Sequence, residues 1–232
     1  MAEINCEGRT TREINAEIRR LVGTGDSDIV LKNPLARHNL GVAILDPVRV
    51  RIEGSVGYYC AGLIDGPRFE IMDSAGWGLA ESMMGGEVVV HGSADNGAAA
   101  AIRGGTVVIH GDAAARLGVS MKGGTVLVAG NCGYMAGFMG QKGTMVVCGD
   151  AGDAFADSMY ETVCFVGGNV AGLGTDAVVE SPGKDDIAFL DTTLAQYLPG
   201  SQKRGKDFKK IVAGRKLWNF DKREWKVWQE AL

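Results

Sequence analysis

Three histidines, five cysteines and a set of turn aspartates are the residues of this 232-residue chain best suited to chemistry. His91 and His110 close the near-identical strings GGEVVVHG and GGTVVIHG, 19 positions apart. Two imidazoles stacked at a repeat spacing could ligate a metal. The positions one and two repeats further on are Ala129 and Cys148, so no third ligand is obvious. A solvent-facing or interface ladder explains the pair as well. His38, in ARHNLG, reads as a residue that orders a loop. Cys132, in GNCGYMAG, is the cysteine placed most like a nucleophile, but no His–Asn or His–Asp partner stands beside it, and a turn cysteine is the simpler reading. Cys6, Cys60, Cys148 and Cys164 are scattered, and no CxxC occurs, which reads as free thiols in a reducing compartment. Asp73, Asp112, Asp150 and Asp153 fall at or beside glycine corners, where aspartates commonly bond their own backbone. No Walker motif and no GxGxxG within a βαβ unit is present. These residues assemble no nucleophile, base and oxyanion site. They read as a scaffold, with no catalytic, cofactor-binding or metal residue assigned to this chain.

Composition narrows the class. Glycine supplies 35 residues, about twice its usual share of roughly 7%, while proline supplies five, which points to many tight turns in an ordered fold. The apolar runs are short and broken by glycine, far from the roughly 18 residues of a membrane span. The opening MAEINCEGRTTREI is charged and lacks the apolar core of a secretory signal. The expected location is the cytoplasm, with no membrane partner. Charge is uneven: residues 201–232 carry 10 Lys+Arg and 4 Asp+Glu, against 14 and 24 in the first 200. Trp218, Phe220, Trp225 and Trp228 interleave with that basic tail. Such a mixture suits a packed amphipathic segment better than a nucleic-acid arm.

Stepping along the chain by 19 residues exposes what must position these side chains. Strand-closing glycines fall at Gly92, Gly111, Gly130, Gly149 and Gly168, and two steps back from Gly92 lies Gly54. One flanking column reads Phe69, Val88, Val107, Val126, Met145, Cys164, and another Ile52, Ile71, Val90, Ile109, Val128, Val147, Val166. A third reads Ile64, Met83, Ile102, Met121, Gly140, Met159. The register holds from Val48 to Gly168 without an insertion. A 19-residue unit with one short strand cannot bury its apolar face alone, but stacked units can. The expected fold is therefore all-β: a right-handed parallel β-helix of about seven turns, with short N-terminal and C-terminal helical segments. The corner glycines would supply positive φ or room for close backbone approach.

Within the strand, faces alternate. Val88 and Val90 and their ladder-mates point inward. The opposite face carries Val89, Val108, Leu127, Val146 and Phe165, a second apolar ladder. A strand apolar on both faces is covered on both. This outer ladder is the candidate partner interface, with cover by the chain's own ends as the alternative.

Residues 1–47 read as an N-terminal helix and leading strands, 48–180 as the β-helix and 181–232 as the basic, Trp-rich tail. In TREINAEIRRLV, Ile14, Ile18 and Leu21 share a helical face, with Thr10 or Thr11 as cap, and the helix would shield one end of the solenoid. IVLKNPLARHNLGVAI reads as strand, turn, strand. Asp186 to Leu198 fits a short helix, and Asp207 to Leu232 reads as helical in parts.

The strings MMGGEVVVHG, IRGGTVVIHG, MKGGTVLVAG and GYMAGFMGQKGTMVVCGD resemble the GXGXG domain over about Val48 to Val179. That domain forms the C-terminal β-helix of the glutamate synthase large subunit and also occurs within formylmethanofuran dehydrogenase. The opening INCEGRTTREINAEIRRL, the loop NPLARHNLGVAI and the segment from Gly57 to Ala101 are similar to the stand-alone GXGXG subunit of N-methyl-L-glutamate synthases (methylamine–glutamate N-methyltransferases). The resemblance implies a non-catalytic subunit bridging two partners: a class II amidotransferase-like subunit and a glutamate-synthase-like subunit holding FMN and iron–sulfur clusters. It carries over no catalytic residue. A split glutamate synthase and formylmethanofuran dehydrogenase remain the alternatives.

Overall fold

Strings such as TVVI put alternate β-branched residues on opposite faces, and glycines at both ends stop the strand after one short span. The computed structural model, which describes residues 1–216, stacks these spans as a parallel β-solenoid of about seven 19-residue turns. The strands are β1 (Ala2–Asn5), β2 (Asp28–Lys32), β3 (Arg49–Glu53), β4 (Arg68–Ile71), β5 (Glu87–Val90), β6 (Thr106–Ile109), β7 (Lys122–Val128), β8 (Lys142–Val147), β9 (Glu161–Val166), β10 (Ala177–Glu180) and β11 (Lys209–Ala213). The α-helices are α1 (Thr11–Gly23) and α2 (Lys184–Tyr197). All the strands join one sheet in the order β1 to β9, then β11, then β10. From β3 to β9 residues pair with those 19 positions on, as Val88 does with Val107 and Val107 with Val126, except at the start of β7, where a register shift sets Lys122 opposite Lys142. The ladder also runs back before Val48, with Asp28 opposite Arg49 and Ala2 opposite Ile29.

Both strand columns foreseen as inward are fully buried, from Phe69 to Cys164 and from Ile52 to Val166. So is the third, Ile64, Met83, Ile102 and Met121. A fourth inward column had no hydrophobic signal strong enough to notice: Ala75, Ala94, Ala113, Cys132 and Ala151, bridged rung to rung.

The far arc of each turn uses a backbone that few side chains favour. Ala61, Ala80 and Ala99 hold φ of 54, 54 and 56°. A non-glycine residue there costs roughly 1–2 kcal/mol. Each sits where its N–H reaches the preceding turn, as Ala80 N does to Cys60 O at 2.9 Å and Ala99 N to Leu79 O at 2.7 Å. The inter-turn hydrogen bonds over-determine the strained conformation. This arc also corrects the reading of the leading loop as strand, turn, strand. Only β2 is a strand. The rest turns through positive φ at Asn33, Leu35, Ala36, Asn39 and Ala43, while Leu40 and Ile44 point into the core.

The N-terminal end is closed by α1. Thr10 and Glu13 form a reciprocal capping box, and Ile14, Ile18 and Leu21 are buried. Asn15 is buried among them. Its Nδ2 donates to Asn39 O at 2.8 Å and its Oδ1 accepts from Gly41 N at 2.9 Å, so a polar side chain anchors the plug to the first arc. Beyond the last rung, Lys209–Ala213 forms β11, where helix was expected. It lies antiparallel between β9 and β10 and places Ile211 in the core opposite Cys164. Pairing with two strands that lack partners outweighs helix propensity in a five-residue segment. Trp218, Phe220, Trp225 and Trp228 lie outside the described residues.

Candidate functional site

The outer apolar ladder is buried by the chain itself. Val108, Leu127 and Val146 are fully inaccessible, and Val89 and Phe165 are nearly so. They pack with Leu190 and Leu194 of α2 and with Leu198 and Phe208 just beyond it. Leu190, Leu194 and Leu198 recur every four residues, which gives α2 one apolar stripe that fits along the ladder. Polar bonds pin its margins: Tyr197 Oη donates to Glu87 Oε2 at 2.9 Å, and Lys210 Nζ pairs with Asp186 Oδ2 at 2.8 Å. Burial, with Glu87 beside it, pushes the Tyr197 hydroxyl up and keeps it a donor. The expectation that Val89, Val108, Leu127, Val146 and Phe165 await a partner is therefore corrected. The alternative, cover by the chain's own end, is what the fold contains.

His91 and His110 stack as the repeat requires, with ring centroids 5.1 Å apart and planes 3° from parallel. His91 Nε2 lies 3.0 Å from Glu70 Oε1, and the other carboxylate oxygen of Glu70 is 2.9 Å from Arg51. The His91 bond, followed by Arg51, holds the Glu70 carboxyl below its usual range despite partial burial. Burial, then the neighbouring His91, lowers the His110 imidazole. The result is a surface relay, Arg51–Glu70–His91–His110, in which each group is occupied by its neighbour. Among the described residues no group of three or more His, Cys, Asp or Glu is placed to hold a metal ion.

The remaining candidates are structural. Cys132 points into the alanine column rather than standing in a turn, and burial pushes its thiol up to about 12. Cys60 rises to about 12 and Cys148 to about 11 for the same reason, and all five cysteines are buried and free. A thiol so disfavoured as thiolate is a poor nucleophile and a poor cluster ligand. His38 Nδ1 accepts from Tyr58 N at 2.8 Å, and Thr11 Oγ1 donates to His38 O at 3.2 Å, so this histidine ties the leading loop to α1 and to the first full turn.

The corner aspartates do something the sequence reading missed. Asp112 and Asp150 bond the next turn, not their own, while Asp73 accepts from Ser55 of the preceding turn and from its neighbour Ser74. Along one column, Ser74, Ser93, Asp112, Asn131 and Asp150 each accept a hydrogen bond from the backbone N–H one rung further on, at 3.2, 3.1, 2.6, 2.8 and 2.7 Å. The strand-closing glycines face this ladder. A Cβ on Gly149 would meet Gly130 O at 2.6 Å and press on Asn131 Oδ1. Gly92, Gly111, Gly130 and Gly168 meet equivalent obstructions. These five thus serve close approach, while Gly54 alone of the set has positive φ, at 139°. The signal was available: a run of short polar residues one position after each glycine.

A second missed feature lies on the far arc. His38, Tyr58 and Trp77 stack in succession, with centroids 4.4 and 5.6 Å apart. Tyr58, Tyr59, Trp77 and Tyr134 are among the most exposed large side chains of the described residues. A trough of about 460 Å³ lies between Trp77 and Tyr134, lined in part by Tyr59, Gly78, Glu81, Asn96, Gly97, Ala115 and Arg116.

No protein-family profile matches the chain. Over 67 residues it is 44% identical to a protein named GlxC from Rhizobium meliloti (strain 1021). That stretch covers 28% of this chain and 29% of that protein, so the match spans less than a third of either. No described helix is long and apolar enough to cross a membrane.

Proposed function

We propose that this chain is the structural β-helix subunit of a heteromeric glutamate-synthase-like enzyme. Within that class we assign it to an N-methyl-L-glutamate synthase, in which methylamine displaces the amino group of L-glutamate to give N-methyl-L-glutamate and ammonia. One observation carries the reading. The strings that resemble the GXGXG domain fold as a 19-residue solenoid that buries its five cysteines and holds the histidines of its repeat, His91 and His110, against each other and Glu70. The partial likeness to GlxC supports the same direction. Chemistry then belongs to the partners: an amidotransferase-like subunit, and an FMN and iron–sulfur subunit. The five buried thiols of this chain do not fit a cluster. A split glutamate synthase or a formylmethanofuran dehydrogenase would use the same fold with different partners.

With α2 over the apolar ladder, docking falls to other faces. One is the outer surface of β3 and β4, where Arg49, Arg51, Arg68 and Glu70 line an open hollow of about 330 Å³. The test is an affinity pull-down from native expression, with an absorbance spectrum of the eluate and an assay for methylamine-dependent N-methylglutamate. Two larger chains with flavin and iron–sulfur absorbance are expected. A lone colourless chain would overturn the reading. Molybdopterin in the eluate would favour the formylmethanofuran alternative.

A further inference from the structure

The exposed ring ladder on the far arc is self-complementary. Successive rungs carry His38, Tyr58, Trp77, then Asn96, Ala115, Tyr134. Backbone bonds fix the order, with Tyr59 N on Trp77 O, Gly78 N on Asn96 O, Gly97 N on Ala115 O and Arg116 N on Tyr134 O. Two large rings, Tyr58 and Trp77, are thus followed by two small residues and then a third large ring. The two vacancies are real space. Asn96 Oδ1 is tied back to Ala115 N at 3.0 Å, and a Cβ on Gly97 would meet nothing within 4 Å. Trp77 and Tyr134 stand three rungs apart, about 14 Å at the strand spacing. That gap holds two further rings at the pitch of the stack.

We propose that a second copy of this chain fills it. A two-fold axis lying across the solenoid between the Trp77 and Asn96 rungs sets two copies antiparallel, far arc to far arc. Trp77 of each then opposes Asn96 of the other, Tyr58 opposes Ala115, and His38 opposes Tyr134. In the adjacent column Tyr59 opposes Arg116, which brings a guanidinium onto a phenol ring. Gly97, with open space before it, opposes Gly78, over which the Tyr59 ring of its own chain lies, so that ring fills the space at Gly97. Large meets small at each central rung, in both directions, as an isologous contact requires. Aromatic and arginine side chains are the types that anchor such interfaces. An open trough would leave much of a small ligand in water, whereas ligand sites enclose most of their occupant. Six rungs give a contact about 24 Å long. That is a small interface, so the dimer should form at micromolar concentrations. Such a dimer does not depend on the enzyme proposed above.

Sedimentation velocity on the full chain, from about 1 to 100 µM, tests it. The wild type should pass from monomer to dimer. Ala115→Trp fills a vacancy and collides with Tyr58 of the other copy, so dimerisation should weaken by about tenfold or more. Tyr58→Ala in the same chain makes room again, and the double variant Tyr58→Ala/Ala115→Trp should recover the dimer. Circular dichroism checks that each variant is folded, and hydroxyl-radical labelling reports Trp77. A wild type that stays monomeric with Trp77 freely labelled would overturn the proposal. So would a dimer indifferent to Ala115→Trp, which would use another face. Trp77 protected in the monomer would overturn it too, and would mean that residues 217–232 of the same chain occupy the trough. Protection only in a heteromeric complex would hand the trough to a different protein.

Discussion

The outer face of the sheet has two halves that share one register and differ in everything else. Over β5 to β9 one column reads Val89, Val108, Leu127, Val146, Phe165 and lies under α2. Over β3 and β4 the same column reads Arg51, Glu70 and lies open, with Arg51–Glu70, Arg49–Asp28 and Arg68–Glu87 paired across neighbouring strands. Inside, the columns hardly change between the halves. A solenoid dictates its interior rung by rung, because every turn must pack on its neighbours. Its exterior is dictated by whatever covers it.

The sharpest way to break this comparison is a charge placed on each face. Val107→Asp buries a carboxylate between rungs and should prevent folding, since an unpaired buried charge costs more than such a fold can spare. Val108→Asp, one position away, should detach α2 while leaving the inner columns packed. Limited proteolysis would then cut within 184–197 while circular dichroism keeps its strand signal. Glu70→Val, at the same column in the open half, should change stability by no more than about 1 kcal/mol. If Val108→Asp is as mild as Glu70→Val, the ladder is not covered by α2.

A smaller effect comes from the cover itself. Leu190 is fully buried, and Leu190→Ala should cost about 2–5 kcal/mol in denaturant unfolding. Gly149→Ala tests the polar corner ladder. The added methyl must displace Gly130 O and Asn131, at about 1–3 kcal/mol. Gly97→Ala, which meets no atom, should lose only the smaller strain of its left-handed backbone.

The weakest effect should be in the histidine pair. His110 has its pKa lowered from the ordinary value near 6.5, by burial first and His91 second. A depressed imidazole favours the neutral form in the folded chain. Its contribution to stability is therefore present above about 6.5 and is lost as pH falls through the lower folded value. NMR titration should give His110 a midpoint below 6.5. His91→Asn should raise it only partly, because burial remains. A midpoint at or above about 6.5 would contradict the stacked, half-buried geometry.

The sequence made the interior legible because burial and periodicity are the same signal there. Val88, Val107 and Val126 announce a column by recurring. The outer cover was harder. Val108 shows that something lies over it, but not what, and Leu190 is 82 positions away in a helix with only a modest apolar stripe. The strand Lys209–Ala213 was missed because its reason is two distant partners, β9 and β10, and five residues carry little propensity of their own. The corner ladder was visible but misassigned. Asp112 and Asp150 have the composition of ordinary turns, and only stacking turns their oxygens toward the next rung. The rings of Tyr58 and Trp77 lay in plain repeat spacing, outside the columns that hydrophobic burial selects.

Hydrogen–deuterium exchange on the isolated chain tests most directly whether this chain covers its own apolar face. Amides of α2 should exchange slowly, in step with those of β6 to β8 beneath it, at every protein concentration. Fast exchange throughout 184–197, with the strands still protected, would mean that the helix does not hold the ladder and that the face waits for another protein.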